Sequence, residues 1–421
     1  MKQISLVLSF FLLSNILVAE EIAEIERKDS VREAIYSVGK LEEKDVSLTD
    51  SFKNMFSDGK VSGQLRVEYS EYNYKKTDPD VYTTAAGGIL KYELAQFKGF
   101  NAGVAFYASK DISWLSGSGI HRNTELSSSD GEHVDMSEVY INYQYKNLNL
   151  RAGRQLLDTP LADSDDIRMI QNTFEAYMAS YDFEGFNIVA GNIQAWHGTD
   201  LANGLDDGWK KIGTDGVNVV GVSYGEGIEF QTWYYNITGI LNAFYIDLGV
   251  EYPINDDITM HIMGQYLNEK ELKQSGYDAD IYGGLCELII KDFGLNIAYN
   301  HLDRVAGKES FSGSGGGALF TNMDMMIMDN ISKDREVDAI VSGFVYNHEN
   351  LSFLYAYGDF SGKKDSVGDK AHVVEQDLGL EYNVNDGFLI ALVYVMSEDK
   401  QSALKTEYDY DRTQFMINYN F

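Results

Sequence analysis

The 421-residue sequence holds 1 Cys, 3 Pro and 34 Lys plus Arg against 65 Asp plus Glu, a formal net charge of −31. One cysteine excludes a disulfide framework and a thiolate zinc cluster. The carboxylate surplus excludes a nucleic-acid binder, which needs a basic face to displace counterions. No segment after the N-terminus reaches the roughly 18 consecutive apolar residues of a spanning helix. What is abundant is equally specific: 29 Tyr, 21 Phe, 39 Gly and 44 % apolar residues. That content is too rich for a disordered acidic chain.

The N-terminus reads as an export signal. Met1 and Lys2 precede an apolar run over residues 4–18, and Ala19 is followed by Glu20. The run is shorter than the roughly 20 residues a spanning helix needs, so residues 1–19 are expected to be a secretory signal peptide. Leu17, at the third position before the cut, departs from the small-residue preference. Residues 20–59 are polar and charged and read as a periplasmic extension, with one short helix from Ser47 to Phe56 that Thr49 or Ser51 can cap.

From Lys60 onward the pattern changes to period two. Val61, Gly63, Leu65, Val67 and Tyr69 alternate with Ser62, Gln64, Arg66, Glu68 and Ser70, and Phe415, Ile417, Tyr419 and Phe421 alternate with Gln414, Met416, Asn418 and Asn420. Such alternation predicts strands with one apolar and one polar face. Eighteen are expected, near 60–74, 81–96, 99–110, 134–145, 147–156, 173–183, 186–196, 215–225, 227–236, 240–252, 258–269, 279–291, 293–301, 338–348, 350–360, 373–383, 387–397 and 411–421. Their length suits the roughly 9–11 tilted residues that cross a bilayer.

The connections discriminate further. Those after even-numbered strands are tight, such as Glu184-Gly185, whereas most after odd-numbered strands are long: 111–133, 157–172, 197–214, 270–278, 302–337, 361–372 and 398–410. Short turns at one end and long loops at the other are the pattern of an outer-membrane barrel. In lipid every backbone amide must be paired, so a spanning sheet has to close on itself. Pro79, Pro160 and Pro253 all read as lying in connections. The fold expected is therefore all-β: an 18-stranded antiparallel transmembrane barrel over residues 60–421, preceded by the short polar extension. Its tyrosines and phenylalanines form interfacial girdles, and its polar residues face a water-filled lumen.

The tract Gly153-Arg154-Gln155, Pro160, Asp163-Ser164-Asp165-Asp166-Ile167-Arg168 and Thr173-Phe174 resembles the OprD-type family of specific porins, whose members carry a Gly-Arg-Gln-like start, a Pro, an Asp-Ser/Asp-x-Arg cluster and a Thr-Phe in this order. The looser resemblance runs from about residue 60 to 421. The aromatic end at Phe421 is similar to the assembly signal of outer-membrane barrels. The segment Gly313–Asp329 departs from the better-known members. The resemblance implies a substrate-selective channel without covalent chemistry. Its third loop, helped by the seventh, narrows the barrel, and inward arginines on one wall face loop carboxylates and carbonyls. It further implies passage of small hydrophilic solutes that are anionic or zwitterionic.

Loop 157–172 supplies the expected constriction residues Asp158, Asp163, Asp165, Asp166 and Arg168, which filter ions by sign if the loop folds inward. An ordinary solvated loop is the alternative. Arg66, Arg151 and Arg412 fall on the polar phase of their strands. A charge on the lipid face would cost roughly 2–4 kcal/mol at mid-membrane, so they are expected to point inward. With Arg154 and Arg304 they form the expected pore-lining basic set; structural salt bridges are the competing reading. Loop 302–337 offers a Gly/Ser stretch from Ser310 to Gly317, then Met323, Met325, Met326 and Met328, read as either an adaptable lip or a loose tip.

Enzyme signals are weak: the seven histidines show no metal-ligating spacing, and no nucleophile elbow is present. Cys286 falls within a strand and reads as an inert buried thiol. No cofactor or metal is expected. The expected partners are solutes, outer-membrane lipid and lipopolysaccharide, and the barrel-assembly machinery through Phe421, with monomer and homotrimer both open. A non-conducting surface protein such as an adhesin is the alternative function, and a soluble secreted β protein a third.

Overall fold

The computed structural model describes residues 48–421 apart from Thr77, Gly227, Ser312 and 402–407. The expected signal peptide and the extension as far as residue 47 lie outside the described residues. The expected short helix is present as α1, Leu48–Ser57. It docks at the short-turn end of the molecule: Met55 is buried, its carbonyl accepts the Ala95 N–H at 2.9 Å, and the Phe56 carbonyl accepts the Tyr92 hydroxyl.

Eighteen long strands follow. They are β1 Lys60–Tyr74, β2 Val81–Glu93, β3 Phe100–Asp111, β4 Glu132–Tyr145, β5 Leu148–Gln155 and β6 Thr173–Phe183. Next come β7 Phe186–His197, β8 Val217–Glu226, β9 Ile228–Ile237, β10 Leu241–Asn255, β11 Ile258–Glu271 and β12 Ala279–Ile290. The last six are β13 Phe293–Asp303, β14 Val337–His348, β15 Leu351–Gly362, β16 Ala371–Asn385, β17 Phe388–Asp399 and β18 Tyr410–Asn420. Each pairs antiparallel with its sequence neighbour. β18 returns to β1, from Gln64 opposite Asn420 to Tyr74 opposite Tyr410, and so closes the barrel. The final residue extends this seam, with Phe421 and Gly63 exchanging backbone hydrogen bonds of 3.0 Å in both directions.

The alternation has the inside-out sense of a membrane barrel. Along β1, Leu65 is 60 % exposed while its neighbour Arg66 is 2 % exposed. Leu295 and Ile297 on β13 are exposed, as are Leu248 and Val250 on β10. Such a surface is stable only against hydrocarbon, and closure leaves no unpaired edge within it. Tyrosines 266, 282 and 299 on adjacent strands mark one edge of the apolar band.

The tight turns follow from backbone twist. At Glu184-Gly185 both central residues have positive φ, 47° and 83°, the mirror-image turn whose twist matches the flanking strands. Two expectations are corrected here. Pro253 lies within the end of β10 rather than in a connection, beside a register irregularity between Pro253 and Asn255, where a missing donor is tolerated. Cys286 is exposed on the outward face of β12 and is not buried.

The long loops all leave the opposite end. Three matter for the site: L2 (112–131), L3 (156–172) and L7 (304–336). L3 contains a miniature hairpin, Asp158-Thr159 against Ala162-Asp163, with Pro160 at its tip. It is bound to L7 by backbone bonds, Asp163 N–H to Ser314 O at 3.2 Å and Ser314 N–H to Leu161 O at 3.0 Å. Gly315 makes that approach feasible, because its φ is 74° and a Cβ would stand 2.4 Å from the Asp163 carbonyl.

Candidate functional site

The seam strands β18 and β1 present Arg412 and Arg66 on the inward phase, and three loops bring their acids to these two arginines. Arg66 donates from Nη1 to Asp166 Oδ1 at 2.8 Å and from Nη2 to Asp166 Oδ2 at 3.0 Å. Its Nε donates to Asn418 at 3.2 Å and its Nη1 also reaches the Arg168 carbonyl. Arg168, carried on the same L3 segment, turns back to Glu125 of L2 at 2.8 Å and to Asp324 of L7 at 3.7 Å. Arg412 completes the ring, donating to Glu125 and to Asp324 at 2.9 Å each and to Gln414 at 2.9 Å.

Three guanidiniums and three loop carboxylates thus form one connected network. Arg66 and Arg412 are buried, the latter fully, at 0 % exposure. Planar guanidiniums suit this task, since each can hold a carboxylate on two edges at once. Glu125 is the shared member: Ser70 and Tyr72 of β1 also donate to it, the latter at 3.1 Å. Burial alone would raise its pKa, but Arg412 and Arg168 outweigh burial and hold it down at about 2. L7 is anchored a second time, as its Asp324, Met325 and Met326 N–H groups donate to Asp377 (3.2 Å) and Glu375 (2.9 and 3.1 Å) on β16.

The expected site residues divide into groups. Arg66, Arg412, Asp166 and Arg168 are brought together. Asp165 is buried beside them but differs in state: burial, then Asp200 and Asp163, push its carboxyl well above the ordinary carboxylate range, and Asn172 donates to it at 3.2 Å. Asp158 and Asp163 face each other across the miniature hairpin. Arg151 points inward nearer the short turns, 4.3 Å over the Tyr140 ring and 3.3 Å from Asn142 Oδ1.

Arg154 and Arg304 stand apart from the network. Arg154 lies three residues beyond Arg151 on the same strand, hence on the opposite face, with its guanidinium 4.2 Å over Trp209. Arg304 ties L7 to itself through Asp334 at 2.9 and 3.1 Å. The arrangement also differs from a field spread across open lumen, because opposite charges are in direct contact. The Gly/Ser stretch of L7 is packed on L3, with Ser310 and Ser314 buried, and Met323, Met326 and Met328 are core residues. Only Met325 borders the charged network, its sulfur 3.5 Å from Arg168 Nη2 and 3.8 Å from the Tyr72 hydroxyl.

Glu125, Asp324, Ser70 and Tyr72 were not singled out by sequence reasoning as site residues. Each reaches the site from a different loop or from the wall, and no local spacing marks them.

A family model described as outer membrane porin, OprD family, matches residues 53–421. Among solved structures, OpdK of Pseudomonas aeruginosa, crystallised with vanillate, superposes with a TM-score of 0.73 at 18 % identity, covering 87 % of this chain and 99 % of its own. OccAB2 of Acinetobacter baumannii gives 0.74 at 17 % over 87 % and 99 %. A BenF-like porin from Pseudomonas fluorescens Pf-5 gives 0.75 at 15 % over 86 % and 98 %. At these identities the likeness is one of fold. No match is found among curated proteins.

Proposed function

The chain belongs to the OprD family of outer-membrane porins, and from that premise we propose that it admits small hydrophilic solutes bearing a carboxylate, anionic or zwitterionic, by passive diffusion past the network of Arg66, Arg168 and Arg412. The protein resides in the outer membrane, and its family and fold are those of channels rather than enzymes. The observation that carries the solute class is the unequal mounting of the charges. Arg66 and Arg412 are fixed on the barrel wall, whereas Asp166, Glu125 and Asp324 all ride on loops. A solute carboxylate can take over a guanidinium when a loop carboxylate swings away, exchanging one charge-assisted pair for another of similar strength. The crystallisation of OpdK with vanillate, an aromatic carboxylate, supports this reading.

Residues 1–19 act in this account as the export signal and residues 20–59 as the periplasmic lead into β1. Phe421, bonded to Gly63 at the closing seam, is the handle for assembly. The experiment is a permeability panel in proteoliposomes with carboxylates, amino acids and neutral sugars of matched size. Carboxylates are expected to enter faster than the sugars, and replacement of Arg412 by Gln to remove that preference. Equal rates for all three classes would refute the carboxylate preference while leaving the channel itself intact.

A further inference from the structure

On the outer face of the barrel, away from the lumen, His301, Asp303, Glu336 and Asp338 meet at the long-loop rim. The strand register sets Tyr282, His301 and Asp338 in one row across β12, β13 and β14. His301 shares the outward phase of Tyr299 and Ile297, both exposed. The cluster therefore stands one step beyond the lipid-facing tyrosines, at headgroup level.

Its internal geometry is that of an oriented ligand. His301 Nδ1 lies 2.7 Å from Asp338 Oδ1, which also accepts the Tyr299 hydroxyl at 2.6 Å. The ring packs on Tyr282 with centroids 5.1 Å apart. With Nδ1–H donated to a carboxylate, Nε2 carries the free electron pair, the arrangement in which a second carboxylate fixes the tautomer of a metal-ligating histidine. That Nε2 faces Asp303 Oδ1 at 3.3 Å and Glu336 Oε1 at 3.8 Å. Ligand atoms about 2.0–2.2 Å from a tetrahedral zinc ion stand roughly 3.4 Å from one another. His301 Nε2 stands at about that spacing from each of these two carboxylates, and Asp338, whose ligand atom lies within 4.8 Å of those of His301 and Glu336, closes the cluster behind the ring. Lys363 also contacts Glu336 Oε1, and its side chain is 60 % exposed, so it can swing clear.

We propose that His301, Asp303 and Glu336, oriented by Asp338, form a surface site for a divalent transition metal of the zinc type, with its fourth position open toward the headgroup layer. One imidazole nitrogen and two carboxylates suit such an ion, and a phosphate oxygen is the anionic ligand the open position fits. The ligands come from both sides of L7, so no local sequence spacing reveals the site.

The test uses the full chain, folded in detergent and checked by heat-modifiable migration. Zn²⁺ uptake is measured by competition with a chelating dye, and Co²⁺ substitution reports geometry through its visible absorption. The expected result is one ion per chain with a low-coordinate Co²⁺ spectrum. His301→Ala and Glu336→Gln are expected to lower affinity at least about 10-fold, and Asp338→Asn about 10–100-fold. His372→Ala, a rim histidine paired with Asp359 instead, is expected to change nothing. A spectrum altered by both inorganic phosphate and lipid A micelles supports phosphate ligation at the open position. Alteration by lipid A alone assigns that ligand to the lipid, and no alteration by either overturns the open position. No stoichiometric uptake by folded protein, or uptake unchanged in His301→Ala, overturns the site. Single-channel conductance of His301→Ala is expected to match the parent, so this outcome is independent of solute passage.

Discussion

The guanidinium of Arg66 on the first strand grips both carboxylate oxygens of Asp166, 100 residues on, at 2.8 and 3.0 Å. This pair, together with Gln64 donating to Asp166 at 3.2 Å and Gln414 donating to the Ile167 carbonyl at 2.7 Å, holds residues 166–168 of L3 against the seam of the barrel. Removing one partner of a buried pair leaves the other charge uncompensated, at a cost of about 3–5 kcal/mol. Asp166→Asn is therefore expected to loosen L3 and to shift the reversal potential in a salt gradient toward anions. Arg66→Gln combined with Asp166→Asn is expected to return selectivity most of the way, since both charges are then gone. A double-mutant cycle on reversal potentials in planar bilayers measures this. Additive single effects would show that the two groups act separately.

Asp165 and Asp166 are neighbours with opposite expected behaviour. Asp165 is buried beside Asp200 and Asp163, and burial and then those two acids hold its carboxyl well above the ordinary carboxylate range. A carboxyl raised in this way opposes the docked loop increasingly as pH rises above its ordinary value of 3.8, so the neutral mimic Asp165→Asn removes a cost. The substitution is expected to leave the reversal potential at neutral pH unchanged and to leave or slightly raise thermal stability. A shift as large as that of Asp166→Asn would contradict the lesser role given to Asp165.

Glu125 gives the network a defined acid limit. Burial favours its neutral form, but Arg412 and Arg168 outweigh burial and depress it from 4.5 to about 2. A depressed carboxylate contributes stability that is fully present above 4.5 and is lost as pH falls toward 2. The difference corresponds to something on the order of 3 kcal/mol. Between those pH values L2 is expected to detach, seen as noisier and larger single-channel currents, with full recovery on return to neutral pH. In Glu125→Gln the same state is expected at neutral pH. A wild-type trace unaltered down to pH 3 would count against this role.

Asp334 organises L7 at the rim, apart from the network of Arg66, Arg168 and Arg412. It accepts from Arg304, from the Gly307 amide at 2.8 Å and from the Ser366 amide at 2.9 Å. The Ser366 side chain, with those amides, holds its carboxyl well below the usual range. Asp334→Ala is expected to make L7 and the neighbouring loop 363–370 sensitive to limited proteolysis from outside while ion selectivity stays unchanged. A selectivity change would mean that Arg304 acts in the pore after all.

Period-two alternation exposed the barrel in the sequence because each strand must present one face to lipid and one to the lumen, a constraint on the residues of all eighteen strands. The same constraint made the inward phase of Arg66, Arg151 and Arg412 readable. It says nothing about loops. Glu125, Asp166 and Asp324 sit on L2, L3 and L7, far apart in sequence, and they meet only because each loop folds back over the seam. Resemblance located L3 and its acids, yet it did not separate Asp165, whose carboxyl is pushed well above its ordinary range, from the paired Asp166, because that shift depends on burial and on neighbours such as Asp200. Arg154 was placed with the pore arginines by proximity to L3, but strand parity sets it on the opposite face from Arg151. Pro253 was read as a turn residue, whereas β10 simply runs two residues past it.

The central claim is a conducting pore governed by the charges at Arg66, Arg168 and Arg412. Single-channel recording of the folded chain in a planar bilayer, across a salt gradient, tests it most directly. Discrete conductance steps are expected, with a reversal potential that moves when Arg412 is replaced by Gln. Correctly folded, heat-modifiable protein that leaves the bilayer silent, or steps whose reversal potential ignores Arg412, would contradict it.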